Sequence, residues 1–177
     1  MSAMTLALRP IRPDDEPFLR RVYASTRVDE LAPLGWSAEQ REAFLDQQFD
    51  AQHRHYQTHY ADADFLVILL DNQPIGRLSV ARWPEQILLI DIALLPEHRG
   101  AGIGSRLIQA LLDEADPSGK PVRLHVEKFN RARRLYERLG FSIVDDRGVY
   151  WFMERAPRRS VSGMAPAGGR AVSDRLI

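Results

Sequence analysis

The chain has 177 residues, 45% of them hydrophobic, and its 24 Lys and Arg balance 24 Asp and Glu. That is enough for one domain with a core of its own. Zero net charge gives no electrostatic case for nucleic acid or an anionic membrane as partner. The absence of cysteine excludes disulfides, thiolate catalysis and zinc–thiolate sites. No apolar run approaches the roughly 18 residues of a membrane span. MSAMTLALRP lacks the basic region and apolar core of a signal peptide, so a cytoplasmic protein is expected.

Residues Thr5 to Ile11 alternate weakly and read as a strand. PDDEPFLRRVYAST, from Pro13, has early acids and later arginines, the polarity of a helix. A second helix opens at Ser37, with Gln40 three residues on in a capping-box spacing, and runs to about His59. The period then changes. Asp64 to Asp71 and the segment PIGRLSVA read as a hairpin with its turn at Asn72 to Pro74. Gln86 to Leu95 is a nearly continuous apolar run, a strand covered on both faces. Ile103, Leu107, Ile108, Leu111, Leu112 and Ala115 space out as a helix that Pro117 and Gly119 end. PVRLHVE is a further strand through Glu127, ARRLYERL a short helix with Gly140 at its stop, and FSIVDDRGVYWFM a closing hairpin. The order β-α-α-β-β-β-α-β-α-β-β predicts a mixed α/β domain over residues 5–157. Residues 158–177, rich in Ser, Gly, Ala and Arg without periodicity, are expected to form a disordered tail.

Gly100, Gly102 and Gly104 fall between an apolar strand and a helix, where each glycine costs backbone entropy. A glycine loop at a helix start exposes N–H groups backed by the helix dipole, which suits a phosphate or diphosphate, and Arg99 adds a charge. A dinucleotide fold competes, since Glu127 ends the next strand; but Ser105 stands where its third fingerprint glycine belongs. A Walker loop is excluded, because no Gly-Lys-Ser/Thr follows.

LLPEHRGAGIGSRL resembles the acyl-CoA-binding motif of the GNAT superfamily of acetyltransferases, Arg/Gln-x-x-Gly-x-Gly/Ala, through Arg99, Gly102 and Gly104. IDIALLP and FNRARRLYERLGF match as well. The resemblance spans Thr5 to Glu154 in element order and is specific over Asp91 to Phe141. It implies a GNAT-like fold, a mostly antiparallel twisted sheet with a splayed parallel strand pair flanked by helices. It also implies acetyl-CoA as co-substrate, no metal, an amine acceptor, and a monomer or homodimer. The diphosphate would lie on the backbone of Arg99, Gly100, Ala101, Gly102, Ile103, Gly104 and Ser105. Ile92, Ala93 and Leu94 would line the thioester, with a carbonyl-binding amide near Leu94, where the family's strand bulges.

Tyr136 corresponds to the family tyrosine that faces the thioester sulfur; a phenol with pKa near 10 is protonated at neutral pH and able to donate. On periodicity alone it is a core residue beside Leu135 and Leu139. Asn130 corresponds to the pantetheine-contacting asparagine, and it also suits a helix N-cap. It stands six residues before Tyr136, where many members have seven. Asp91, a carboxylate in an apolar strand, is a candidate base and equally a structural acceptor. His125 is an alternative base, and His98 is expected to be exposed. His55 and His59, four apart with His53 nearby, have a zinc-compatible spacing but no evident third ligand. Trp36, Trp83 and Trp151 could line an acceptor pocket or simply pack, and residues Ser25 to Tyr60 are expected to cover the acceptor side. The expected activity is acetyl transfer to the amine of a small molecule, peptide or protein. A non-catalytic acyl-CoA sensor and, more distantly, a nucleotide-dependent oxidoreductase are the alternatives.

Overall fold

A computed structural model describes residues 4–159. The expected tail therefore lies, from residue 160 on, outside the described residues. The elements follow the expected order: β1 (Leu6–Pro10), α1 (Glu16–Leu31), α2 (Ala38–His59), β2 (Asp64–Leu70), β3 (Gln73–Arg82), β4 (Ile87–Leu94), α3 (Ile103–Ala115), β5 (Val122–Glu127), α4 (Ala132–Arg138), β6 (Ser142–Arg147) and β7 (Tyr150–Arg155). The seven strands form one sheet in the order β1-β2-β3-β4-β5-β7-β6. Every neighbouring pair is antiparallel except β4 with β5. α3 supplies the crossover between those two parallel strands.

Local chemistry sets the ends of these elements. The Ser37 hydroxyl accepts from Gln40 N at 3.2 Å, and the Gln40 side chain accepts from Ser37 N at 2.9 Å, so the capping box forms as its spacing predicts. The β2–β3 turn falls one residue earlier than expected. Asp71 and Asn72 hold the positive φ values, 49° and 65°, that a two-residue hairpin needs.

The main core fills one face of the sheet. Ile103, Leu107, Ile108, Leu111, Leu112 and Ala115 of α3 pack there on Val80, Ile87, Leu89, Val122, Leu124 and Met153. Burying each large aliphatic side chain is worth about 1.5–3 kcal/mol. The opposite face is covered only in part. α1 and α2 join through Leu19, Tyr23 and Phe49, and α1 reaches the sheet where Val22 meets Ala93 and Leu95.

One irregularity positions the site. Ser79 pairs with Asp91, but Val80 pairs with Leu89, so Ile90 is an extra residue in β4. Side chains alternate along a strand, so one inserted residue exchanges the two faces beyond it. Before the bulge, Ile87 and Leu89 point into the main core. Beyond it, Ile92 and Leu94 take that face, and Ala93 packs on Val22 of α1. Asp91 thereby shares the α1–α2 side with Arg77. The parallel pairing of β4 with β5 also ends at Leu89 with Leu124, and the strands diverge from there. The bulge was expected near Leu94; it lies four positions earlier.

Candidate active site

The divergence of β4 from β5 opens a cleft of about 550 Å³. It is bounded by α1 (Tyr23, Thr26, Arg27), α2 (Gln52, His55, Tyr56), β4 from Leu88 to Ala93, β5 from Leu124 to Glu127, and Asn130, Tyr136 and Tyr150. Backbone polarity follows from register. Leu95 N donates to Ile75 O at 2.9 Å, toward β3. Peptide groups alternate along a strand. The amides of Leu94 and Ile92 therefore face the side from which β5 has withdrawn. The Leu94 carbonyl lies on that side too, where Arg99 Nε donates to it at 2.8 Å.

Tyr136 sits where core and cleft meet. It is 7% exposed and belongs to the main core, yet it also lines the cleft. Its position is fixed by the end of α4. Gly140 takes φ 94°, and Phe141 N donates back to Tyr136 O at 3.0 Å, a Schellman-type stop. That stop brings Phe141 edge-on to the Tyr136 ring, 5.9 Å between centroids. Burial, with a smaller contribution from the Asp91 charge, pushes the Tyr136 phenol well above its ordinary value. Asn130 lies one residue before the α4 N-cap, Arg131, and its Oδ1 accepts from Ala132 N at 2.9 Å. Asn130 also lines the cleft.

The glycine loop separates two uses of glycine. Gly100 and Gly102 have φ of 76° and 79°, a conformation other residues adopt only with strain. Gly104 is helical, and a Cβ there would meet only Leu135 Cδ2, at 3.8 Å. The fold does not require glycine at 104; a ligand lying against the backbone would. The first helical bond of α3 runs from Arg106 N to Gly102 O at 3.0 Å. The amides of Ile103, Gly104 and Ser105 therefore have no acceptor within the helix, which suits an anion.

Asp91 is not the isolated carboxylate of an apolar strand. Arg77 Nε stands 2.5 Å from its Oδ2, the two side chains being 8% and 20% exposed. The N–H does not point along that line, so both atoms lack a well-directed hydrogen bond. Arg77 is held from α2 by Gln52 Oε1, at 3.1 Å from Nη2. A charge pair, not apolar burial alone, is the environment of Asp91.

The family model described as acetyltransferase (GNAT) family matches residues 26–141. The chain belongs to the GNAT family. The [ribosomal protein bS18]-alanine N-acetyltransferase of Haemophilus influenzae is 33% identical to it over 101 residues, 56% of this chain and 69% of that relative. Among solved structures, the PaiA N-acetyltransferase of Thermoplasma acidophilum in complex with coenzyme A superposes with a TM-score of 0.66. It is 21% identical, over 86% of this chain and 99% of the other. YncA of Salmonella typhimurium, solved with its cofactor acetyl-CoA, gives 0.51 at 21% identity, over 93% and 99%. The resemblance read from the glycine loop and LYERLGF is thus borne out, as is the mixed α/β fold with one parallel strand pair.

Within this GNAT chain several side chains stand elsewhere than their sequence suggests. The Arg99 guanidinium does not reach over the glycine loop. Besides Leu94 O it binds the Ser25 hydroxyl at 3.0 Å, tying the end of β4 to α1. His98 is half-buried in a 3₁₀ turn (Pro96–His98), not exposed. His125 lines the cleft, but its Nε2 lies 2.8 Å from Arg147 Nη1. That nitrogen's lone pair is already engaged. Burial, and then Arg147, lower its pKa, so the ring is neutral. His55 and His59 stack at 4.1 Å, and His53 bonds Gln57. None of the three tryptophans lines the cleft. Trp36 packs on Phe44, Trp83 on Tyr60, and Trp151 against the main core. Tyrosines 23, 56, 60 and 150 take that place. The stretch from Ser25 to Tyr60 does border the cleft, through α1 and α2. Among the described residues, no helix is long and apolar enough to cross a membrane.

Gly76 had no place in the sequence reading, yet the site depends on it. It pairs with Leu94, and a Cβ there would overlap the Ala93 carbonyl. A glycine inside a strand signals a close backbone approach; only the register reveals to what.

Proposed function

We propose that this chain transfers an acetyl group from acetyl-CoA to a primary amine by direct attack in a ternary complex. The observation that carries the reading is the cleft at the bulge. Two unpaired strand amides, a buried phenol and a carboxylate–guanidinium pair converge there from three elements. When bound, acetyl-CoA supplies the acetyl group and a thiolate as leaving group. The Gly102–Ser105 amides would hold its diphosphate, with Gly104 leaving room, and Asn130 would contact its arm. The amides of Ile92 and Leu94 are placed to receive the negative charge that grows on the carbonyl oxygen. Tyr136 is placed to give its proton to sulfur as the C–S bond breaks and the C–N bond forms. The proton lost by the attacking nitrogen passes to Asp91, directly or through water. Holding both reactants in one cleft removes several kcal/mol from the barrier.

A non-catalytic acyl-CoA-binding module on the same fold is the second reading. It is favoured by one observation, the hold of Arg77 on Asp91, which occupies the candidate base. Free-thiol release from acetyl-CoA across a panel of primary amines separates the two. Release with any member supports transfer. Acetyl-CoA raising the melting temperature with no release from the whole panel supports the sensor.

A further inference from the structure

A second chamber adjoins the cleft. It holds about 370 Å³ beneath α2, between α1 and strands β1 to β3. Its walls include Leu19, Phe49, Tyr56 and Phe65, and its floor is Ser79 and Arg77. Gln52, Tyr56, Arg77 and Asp91 line both spaces, so the chamber adjoins the transfer site across the charge pair, one tyrosine and one glutamine. Nothing in the acetyl-CoA reading uses this volume.

We propose that the chamber receives an aryl side group of the acceptor while its amine lies at Asp91; this rests on the acetyl-transfer reading. Three observations support it. The volume suits a small organic group. The walls present rings: Tyr56 stacks on Phe65 at 6.3 Å, and Phe49 meets Tyr23 edge-on at 6.0 Å. A further ring gains edge-to-face contacts there. Arg77 is 7% exposed, its Nε lacks a directed hydrogen bond, and its guanidinium already lies 5.7 Å from the Tyr23 ring centroid. A buried guanidinium face is a favourable surface for an aromatic ring. The acceptor class is therefore a primary amine carrying an aromatic group a few bonds from nitrogen. The amine could belong to a free arylalkylamine or to a peptide terminus.

The test is thiol release at saturating acetyl-CoA, comparing L-phenylalaninamide with L-alaninamide, which differ by one phenyl group. The wild type should favour the aryl substrate at least tenfold in kcat/KM, mainly through KM. Ser79 lies between Phe65 and Asp91 in register, so Ser79→Leu fills the floor. That variant should bring the ratio near one while alaninamide turnover stays within about twofold. Phe65→Ala, on the half-buried wall, should lower the ratio severalfold if Ser79→Leu does not fold. 2-Phenylethylamine against ethylamine, and a phenylalanyl against an alanyl peptide amide, distinguish the two sources; an aryl preference in either pair supports the chamber. A wild-type ratio near one, or a ratio untouched by the folded variants, would overturn the proposal. Acetyl-CoA binding without release to any amine would instead overturn the acetyl-transfer reading beneath it.

Discussion

Arg77 Nε and Asp91 Oδ2 stand 2.5 Å apart on adjacent strands, the cation more deeply buried than the anion. The two partners are therefore not equivalent. Asp91→Asn leaves a buried guanidinium without its counter-charge, a loss expected to cost about 3 kcal/mol. Arg77→Met removes the buried cation and keeps an unbranched chain in its place, leaving a carboxylate that water reaches. It should cost clearly less. Urea unfolding of both variants checks the order, and equal losses would mean that burial does not govern this pair.

The second prediction concerns Tyr136→Phe. The substitution keeps the ring against Phe141 and deletes only the hydroxyl. An interaction made mainly in the transition state affects rate more than ground-state binding. Acetyl-CoA affinity should stay within about twofold, and turnover on a good acceptor should fall about tenfold to a thousandfold. Full turnover in a folded variant, with chemistry limiting the rate, would return Tyr136 to a packing role.

Alkaline stability follows from the same phenol. Burial raises the pKa of both Tyr136 and Tyr56 above the ordinary value of 10.0. Below about pH 10 both residues are protonated, folded or unfolded, and add no pH dependence. Above it the unfolded chain releases protons that the folded chain retains, so stability falls as pH rises. The double variant Tyr56→Phe/Tyr136→Phe should flatten this decline between about pH 10 and 11, measured as melting temperature against pH. A slope as steep as the wild type's would mean that other groups cause it.

Gly104→Ala separates fold from ligand. Its Cβ would meet nothing nearer than Leu135 Cδ2 at 3.8 Å, and alanine in a helix is favoured over glycine by about 1 kcal/mol. The variant should melt at or above the wild-type temperature yet bind acetyl-CoA at least tenfold more weakly, about 1.4 kcal/mol. Gly102→Ala should instead lose about 1–2 kcal/mol of stability through its φ of 79°. Unchanged acetyl-CoA affinity in Gly104→Ala would remove the diphosphate from this loop.

Gly76→Ala should be the most damaging single methyl in the sheet. The added carbon meets the Ala93 carbonyl, which is backbone and cannot swing away. Separating β3 from β4 at this point should cost about 3 kcal/mol or more, and the bulged end of β4 would move with it. Thermal unfolding and acetyl-CoA binding should both report the loss; a wild-type melting temperature would show that the strands can part freely.

Much of this was legible in the sequence because it is local. The apolar stripe of α3, the Ser37–Gln40 box and the spacing of the loop glycines each lie within a few turns of chain. What escaped was the product of register. The bulge leaves no mark in Ile87–Leu94, since that run is apolar almost throughout and one extra residue disturbs no visible alternation. Arg77 became the partner of Asp91 only once β3 and β4 were paired. Arg99 reaches Ser25 across 74 residues, so its departure from the loop had no local signal. For the tryptophans size alone left pocket lining and plain packing open, and the neighbours that decide for packing, Phe44, Tyr60 and the main core, come from tertiary structure.

The extra residue at Ile90 makes β4 sensitive to its own count. New side chains can be exchanged along it one at a time, each for a local cost. Removing that one residue would leave Asp91 and Ala93 on the helix side, still in register with Ser79 and Arg77, but it would straighten the strand and let β4 and β5 zip closed. One missing codon there would close the cleft and cover the free amides together, with every other residue unchanged. Anyone transplanting this chemistry onto another sheet must carry the insertion along with the residues it displays.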